Sequence, residues 1–354
     1  MPEMFDSMYY IKTHPDRIRR TVAAICLDTP AEKYDLAGAI YTFYLNPGVA
    51  SSYTDAFILE VADEYFSKIG RAWHWHPFDT GTDSYLGDPT INVPTVWAYS
   101  GNDVHTPHHS SADTPDKVDE KSLRDLSTVT AAYLYYLANA GEPQALWLAE
   151  VAQNWGYQQI LRSATPFAEK MGVANSAGVL ARELEMGREK IKYAVGRQTQ
   201  AVLSVLRLTS GARRNELQKE ITPLAGELAD FGREQSRRLE SAASARAKLL
   251  GVPHPIVPEF TASPEQSMAS TIVVKRLRFG TIPLEHISPE QREGYPSGAW
   301  DLVPITALYW CDGHRNLAEV IRLTRMELGP TKFNFVGYFR FLRDHGFVTF
   351  VKGQ

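Results

Sequence analysis

Cysteine is scarce in this chain, which has Cys26 and Cys311 among 354 residues. Two cysteines cannot build a disulfide framework, so we expect a reducing, cytoplasmic environment. No stretch reaches about 18 consecutive apolar residues, so no membrane-spanning helix is expected. The first residues also lack the basic and apolar regions of a signal peptide, so no secretory leader is expected.

An excess of positive charge is also missing. Lys and Arg number 37 and Asp and Glu number 41, which gives a formal net charge of −4. This balance offers no reason to expect a nucleic-acid partner. Hydrophobic residues make up 44% and charged residues 22% of the chain, as in ordinary globular proteins. At about 150 residues per domain, the length predicts two or three domains.

Residues 1–141 alternate strand-like and helical patterns, which predicts an α/β layer with a mainly parallel sheet. A helix with apolar residues at helical spacing is expected from Thr54, its N-cap, to Ile69. Another helix is expected at 119–139. The predicted strands are 21–27, 39–44 and 93–99.

The remainder of the chain has a different pattern. Residues 142–250 read as long helices whose many charges indicate solvated faces, and whose apolar faces could support a homo-oligomer. Residues 251–293 read as a connector, rich in proline at its start. Residues 294–354 read as helix, turn, helix and a closing strand, which favours a winged-helix-like module. Because its second helix lacks a basic cluster, protein docking or packing is favoured over DNA binding.

Two positions after predicted strands could carry chemistry. Asp28 ends a buried strand, and ligands of open α/β sheets collect at the carboxyl ends of strands. This carboxylate could be a metal ligand, a catalytic group or a helix cap. The loop 105–117 follows the strand 93–99 and holds three histidines and two aspartates, the donor types of zinc sites. Taken alone, such a loop is equally consistent with an ordinary polar loop.

A second histidine pair occurs at His74-Trp75-His76. At strand spacing the two imidazoles face the same side. No carboxylate lies at a fixed sequence distance that would complete a metal site with these histidines. We therefore interpret the segment as a half-buried strand near the substrate cleft of the α/β layer.

Three segments together resemble one family. His109-Ser-Ser-Ala-Asp113-Thr114 resembles the last metal-ligand motif of the co-catalytic zinc aminopeptidases, the family of bacterial leucyl aminopeptidase and aminopeptidase Y. The strand that ends in Asp28 resembles that family's strand with a zinc-ligating aspartate. Residues 81–85, followed by 91–96, resemble its Gly-Ser-Asp-His loop and penultimate strand. The order and separations agree, and the resemblance covers roughly residues 1–140.

The resemblance implies a partial three-layer zinc-peptidase sheet and a zinc-dependent peptidase, an aminopeptidase, that acts on a peptide or small amide. In such an enzyme, zinc activates a water molecule for attack on the scissile carbonyl. The implied roles are zinc ligands His109, Asp28 and Glu3, substrate-pocket residues Asp83 and Tyr85, and supports of the His109 loop Ser110 and Asp113.

The chain departs from the family at its start. Pro2 stands where the general-base glutamate is expected, so no catalytic residue is assigned. The family's first zinc-binding histidine and bridging aspartate would lie upstream of residue 1, so we expect an N-terminally incomplete chain. The alternative is a non-catalytic, peptidase-like protein that serves as a protein-interaction module.

Overall fold

The structure is a computed structural model that describes residues 5–38, 40–80, 82–100, 107, 109–253, 263–282, 284, 286–292, 294–295 and 301–351. It is mixed α/β and mostly helical, which confirms the predicted class in its coarse form. None of the helices in these ranges combines the length and apolar character that crossing a bilayer requires. The helices are α1 (Phe5–Thr13), α2 (Pro15–Arg20), α3 (Tyr34–Ala37), α4 (Tyr53–Ile69), α5 (Glu120–Ala138), α6 (Glu142–Gly172), α7 (Ala177–Leu203), α8 (Gly211–Leu250), α9 (Pro264–Ala269), α10 (Leu302–Trp310), α11 (Leu317–Leu328) and α12 (Phe335–Asp344).

The chain divides into two compact units. Unit 1 comprises Met1–Ala145, Arg207–Ser210 and Phe279–Ile305, and unit 2 comprises Leu146–Leu206, Gly211–Arg278 and Thr306–Gln354. The first change of unit therefore lies close to the expected boundary at residue 141. Residues 279–305, expected as connector and as the start of the last module, belong to unit 1.

The sheet of unit 1 is mixed. Its strands are β1 (Ala24–Asp28), β2 (Tyr41–Tyr44), β3 (Trp73–His76) and β4 (Thr95–Tyr99), in the order β1-β4-β2-β3. β1 is parallel to β4 and β2 is parallel to β3, but β2 is antiparallel to β4. Two of the three pairings are parallel, as expected for a mainly parallel sheet. The antiparallel pairing of β2 with β4 is the exception, and it was not predicted because strand patterns do not specify the direction of a neighbour.

Strand pairing places four polar side chains in one row across this sheet. Asp28 pairs with Tyr99, Tyr99 with Thr42, and Thr42 with His74. Because side chains alternate between faces along a strand, residues two positions away lie on the same face. One face therefore carries aromatic and polar groups in two adjacent rows.

The opposite face of the sheet packs against α4. The Tyr41 ring stacks on Phe66 of α4 at 5.1 Å between centroids, and Phe43 lies 6.3 Å from the same ring. All three side chains are almost fully buried. This aromatic core holds one face of the sheet against α4. The opposite face, which carries Asp28 and His74, does not take part in this packing.

The start of α4 differs by two residues from the expectation. Ser52, not Thr54, is the N-cap, and its side chain accepts a hydrogen bond from the Thr54 N–H. Asp55 completes a capping box by accepting from the backbone N–H of Ser52 at 3.1 Å. Thr54 instead accepts a hydrogen bond from Asn46 Nδ2 at 2.9 Å. Serine and threonine both cap helices, so their order alone did not decide between them.

Unit 2 contains the long helices α7 and α8, which pack closely along their lengths. At Gly232 of α8 the approach is so close that an added Cβ would lie 2.3 Å from Val195 Cγ2 of α7. The range 142–250, expected to be helical, contains α6, α7 and α8, and α7 ends at Leu203. α6 and α8 continue through Pro166 and Pro223.

The C-terminal elements follow the predicted order. α11 begins after its N-cap Asn316, α12 follows, and β6 (Val348–Val351) closes the chain. The connector prediction for 251–293 was incomplete, because this range contains α9 and β5 (Val273–Arg276). β5 pairs antiparallel with β6 and bridges Asn316 through Val273. The winged-helix-like assignment itself stays a prediction.

Candidate metal centre

Asp28 is held in one orientation by two hydroxyl groups. It is the last residue of β1, where the parallel strands β1 and β4 both end. Thr82 Oγ1 donates a hydrogen bond to Asp28 Oδ2 at 2.8 Å, and Thr29 Oγ1 donates to Oδ1 at 3.0 Å. A carboxylate oxygen can accept more than one bond, so each oxygen retains acceptor capacity for a cation. Hydrogen bonds of this kind orient metal-binding carboxylates.

Cys26 lies two residues before Asp28 on the same face of the sheet. Its Sγ is 3.4 Å from Thr82 Oγ1. Since Thr82 donates its proton to Asp28, its oxygen accepts from the thiol. Burial is the main cause that raises the pKa of Cys26 to about 12; the Thr82 hydrogen bond opposes this change, and the charges of Asp28 and Asp83 add to it. Cys26 is therefore a protonated thiol near pH 7, and it is not a thiolate ligand or nucleophile.

The start of α1 is connected by hydrogen bonds to the segment that contacts Asp28. Ser7 Oγ in the first turn of α1 donates to Asp83 Oδ1 at 2.8 Å. Asp83 directly follows Thr82, whose hydroxyl contacts Asp28. Glu3 lies outside the described residues, and it precedes the first residue of α1 by two positions in the sequence. The segment that follows Glu3 is therefore connected to Asp28 through two side-chain hydrogen bonds.

The loops after β1 and β4 are hydrogen-bonded to each other. The backbone N–H and the hydroxyl of Ser100, just after β4, both donate to the carbonyl of Thr29 at 3.2 Å. Farther along, the N–H of Asp119 donates to the carbonyl of Ala31 at 2.8 Å. His109 lies between Ser100 and Asp119 in the sequence. The loop that carries His109 is thus joined at both ends to the loop that follows Asp28.

Both loops contain backbone strain. Outside glycine, the described residues with positive φ are Thr29 at 44°, Asn92 at 59° and His109 at 57°. Positive φ is uncommon for side-chain-bearing residues and a genuine outlier for a β-branched residue such as threonine. Such strain concentrates at functional sites, where the surrounding structure enforces it. Two of the three strained positions are His109 itself and the neighbour of Asp28.

Ser110 shapes the turn around His109. Its hydroxyl donates to the carbonyl of Pro107 at 2.6 Å and accepts from the N–H of Ala112 at 3.2 Å. Asp113 contributes a backbone N–H that donates to the Ser110 carbonyl at 3.2 Å. Ser110 is thus the anchor of this exposed turn. His109 is also exposed.

The two residues assigned to a substrate pocket have different surroundings. Asp83 is half-buried and accepts the hydrogen bond from Ser7. Tyr85 is only 3% exposed and packs in a core cluster with Ile11 and Ile18. Its hydroxyl lies 2.6 Å from Thr281 Oγ1. The structure therefore places Tyr85 in the interior of unit 1, because its ring fills a hydrophobic core between α1, α2 and the sheet.

The described part of the chain does not by itself assemble a full ligand set. Within the described ranges, no three His, Cys, Asp or Glu side chains form a group that could hold a metal ion. Asp28 and His109 are the described members of the set implied by the resemblance. Their donor chemistry, one imidazole and one hydroxyl-supported carboxylate, fits zinc. His105 and His108 of the same loop also lie outside the described residues.

Sequence reasoning missed the supporting side chains Ser7, Thr29 and Thr82. Thr82 is part of a segment that resembles the family, but a threonine hydroxyl carries no sequence signal for its partner 54 positions away.

A surface groove of about 710 Å³ lies in unit 2, where Ile191, Val195 and Arg233 line it. It has no ligating set of its own among the described residues.

Comparisons with known proteins return no relatives: no family model, no curated protein and no solved structure matches the chain.

Proposed function

We propose that this chain forms part of a zinc-dependent peptidase, an aminopeptidase by resemblance, with zinc held by Glu3, Asp28 and His109. Three protein ligands and one water molecule are the usual set of a catalytic zinc site. The substrate class that follows from this chemistry is a peptide or small amide.

The observation that carries the proposal is the convergence of three distant segments. The segment after Glu3 is connected to Asp28 through Ser7, Asp83 and Thr82. The loop that contains His109 is hydrogen-bonded to the loop after Asp28. Ligands bind where parallel strands end, and β1 and β4 are parallel. The segments that the resemblance selected from sequence are therefore linked at one edge of the sheet.

The chain's own residues have separable tasks in this proposal. Asp28 and His109 bind the cation, and the hydroxyls of Thr29 and Thr82 orient Asp28. Ser110 holds the turn that presents His109. When bound, zinc lowers the pKa of its water and polarises the scissile carbonyl. No described residue is assigned as the general base.

Hydrolysis of aminoacyl-coumarin amides by the zinc-loaded full chain tests this proposal. We expect release of coumarin that is lost in Asp28→Asn and His109→Gln, because each change removes one ligand. Asp116→Asn is the matched control, since its exposed side chain lies in the same loop, accepts a hydrogen bond from Lys117 and has no role in the proposed site. Zinc binding without hydrolysis would overturn the peptidase function, and the absence of both bound zinc and hydrolysis would support the non-catalytic alternative. Hydrolysis that persists in both ligand variants would overturn the assigned site.

A further inference from the structure

His74 and His76 lie together on the exposed edge of the sheet. They are two residues apart on β3, the last strand in the sheet order, so both imidazoles are on the polar face. His74 is half-buried and His76 is exposed. Their ring centroids are 5.1 Å apart, at an angle of 76° between the ring planes.

This separation matches two imidazoles on one metal ion. Zn–N bonds of about 2.0–2.1 Å place each ring centroid about 3.2 Å from zinc, so a tetrahedral angle separates the centroids by about 5.2 Å. The observed 5.1 Å agrees with that spacing. We propose that His74 and His76 form a two-imidazole site for a borderline divalent cation such as Zn²⁺ or Ni²⁺, with water at the remaining positions.

Thr42 fixes the orientation of His74. The threonine Oγ1 donates to the carbonyl of Ile40 at 3.4 Å, so its oxygen accepts from His74 Nε2–H at 2.9 Å. This tautomer leaves His74 Nδ1 unprotonated and able to bind metal. Ligating histidines in proteins are held by a hydrogen bond of this kind on the other ring nitrogen.

Tyr44 supports the second imidazole. Its ring stacks on His76 with centroids 5.6 Å apart and is itself stacked on Trp97 at 4.2 Å. Neutral, oriented imidazoles are the form that transition metals bind.

The site is distinct from the candidate centre at Asp28. His74 and Asp28 belong to one row of the sheet, but they are three strands apart. At about 4.8 Å per strand this separates their backbones by about 14 Å. The two-imidazole site therefore does not rest on the proposed peptidase function, and it can be measured with the other centre removed.

The test is a calorimetric titration of the full chain with Ni²⁺ and with Zn²⁺, in a background that carries Asp28→Asn and His109→Gln. We expect His74→Gln or His76→Gln to weaken binding at least about tenfold, since losing a ligand costs no less than losing its supporting hydrogen bond. Thr42→Val should weaken it less. His14→Gln is the matched control, because His14 stacks on Tyr10 and has no second imidazole beside it among the described residues.

Each outcome decides the proposal. Binding that falls in both histidine variants and persists in His14→Gln supports it. Unchanged binding in His76→Gln would overturn it, because this exposed edge residue can be replaced without disturbing the core. Electron paramagnetic resonance of the Cu²⁺ form gives an independent readout: coupling to two imidazole nitrogens is expected, and its absence would also overturn the site.

Discussion

Thr82 Oγ1 donates a hydrogen bond to Asp28 Oδ2 at 2.8 Å, although the two residues are 54 positions apart. The bond connects the segment before β4 to the end of β1, where the candidate zinc ligand lies. Thr82 is 2% exposed, so water does not readily replace its hydroxyl. The orientation of Asp28 therefore depends on a residue that is not itself a proposed ligand.

Replacing Thr82 with valine should weaken zinc binding by about 10- to 100-fold, the range found when hydrogen bonds that support metal ligands are removed. Valine has nearly the same shape, so the loss comes from the hydroxyl. Competition with a fluorescent zinc chelator measures the affinity. Thr128→Val is the control, since the Thr128 hydroxyl is exposed and bonds within α5. Equal affinity in Thr82→Val and the wild type would show that the hydrogen bond does not orient a ligand.

In unit 2, Gly232→Ala should lower the free energy of unfolding by about 1–3 kcal/mol, as is typical of overpacking. The added Cβ would lie 2.3 Å from Val195 Cγ2, so α7 and α8 must separate. Gly226→Ala in the same helix meets no atom within 4 Å and should instead stabilise by up to about 1 kcal/mol through helix propensity. Urea unfolding of both variants checks the contrast.

The additional change Val195→Ala should restore part of the stability lost in Gly232→Ala, because it removes the opposing methyl groups. Equal destabilisation by the two glycine variants would contradict the close approach at Gly232.

Asp55 should make the stability of unit 1 depend on pH. Burial raises the pKa of Asp55 to about 6, although hydrogen bonds from Asn46 and Ser52 oppose this change. The folded state therefore binds the proton more tightly than the unfolded chain, in which the pKa is about 3.9. The resulting stabilisation is complete below about pH 3.9 and is lost as the pH rises through about 6.

The variant Asp55→Asn lacks this titration. Between pH 4 and 7, the free energy of unfolding of the wild type should fall relative to the variant by up to about 3 kcal/mol. Loss of the capping carboxylate changes the variant's free energy of unfolding by the same amount at every pH, so it does not change how steeply that free energy varies with pH. Urea unfolding at four pH values measures the difference, and parallel profiles would contradict the raised pKa.

Local patterns predicted much of the fold because they depend on neighbouring residues. The strand at His74–His76 and the helix that ends at Ile69 were both predicted from short patterns and are present in the structure. β5 was missed, because Val273–Arg276 is a short strand that depends on its distant partner β6. Its four residues form no long alternating pattern that would separate it from a connector.

In the candidate site, too, local patterns predicted single residues but not their contacts with distant parts of the chain. Asp28 was selected because it ends an apolar strand, a signal within a few residues. Its contact with Thr82 depends on the path of the chain between β3 and β4, which no local motif encodes. Tyr85 was assigned to a pocket from its motif, whereas tertiary packing buries its ring among Ile11 and Ile18.

Zinc content of the full chain tests the central claim most directly. The measurement uses a chain that carries His76→Gln, so that the second proposed site does not contribute. The protein is loaded with zinc, freed of unbound zinc by gel filtration, and its zinc content is measured by mass spectrometry. We expect one bound zinc ion per chain, and no bound zinc when Asp28→Asn or His109→Gln is added. No bound zinc, or zinc retained in both variants, would contradict the account.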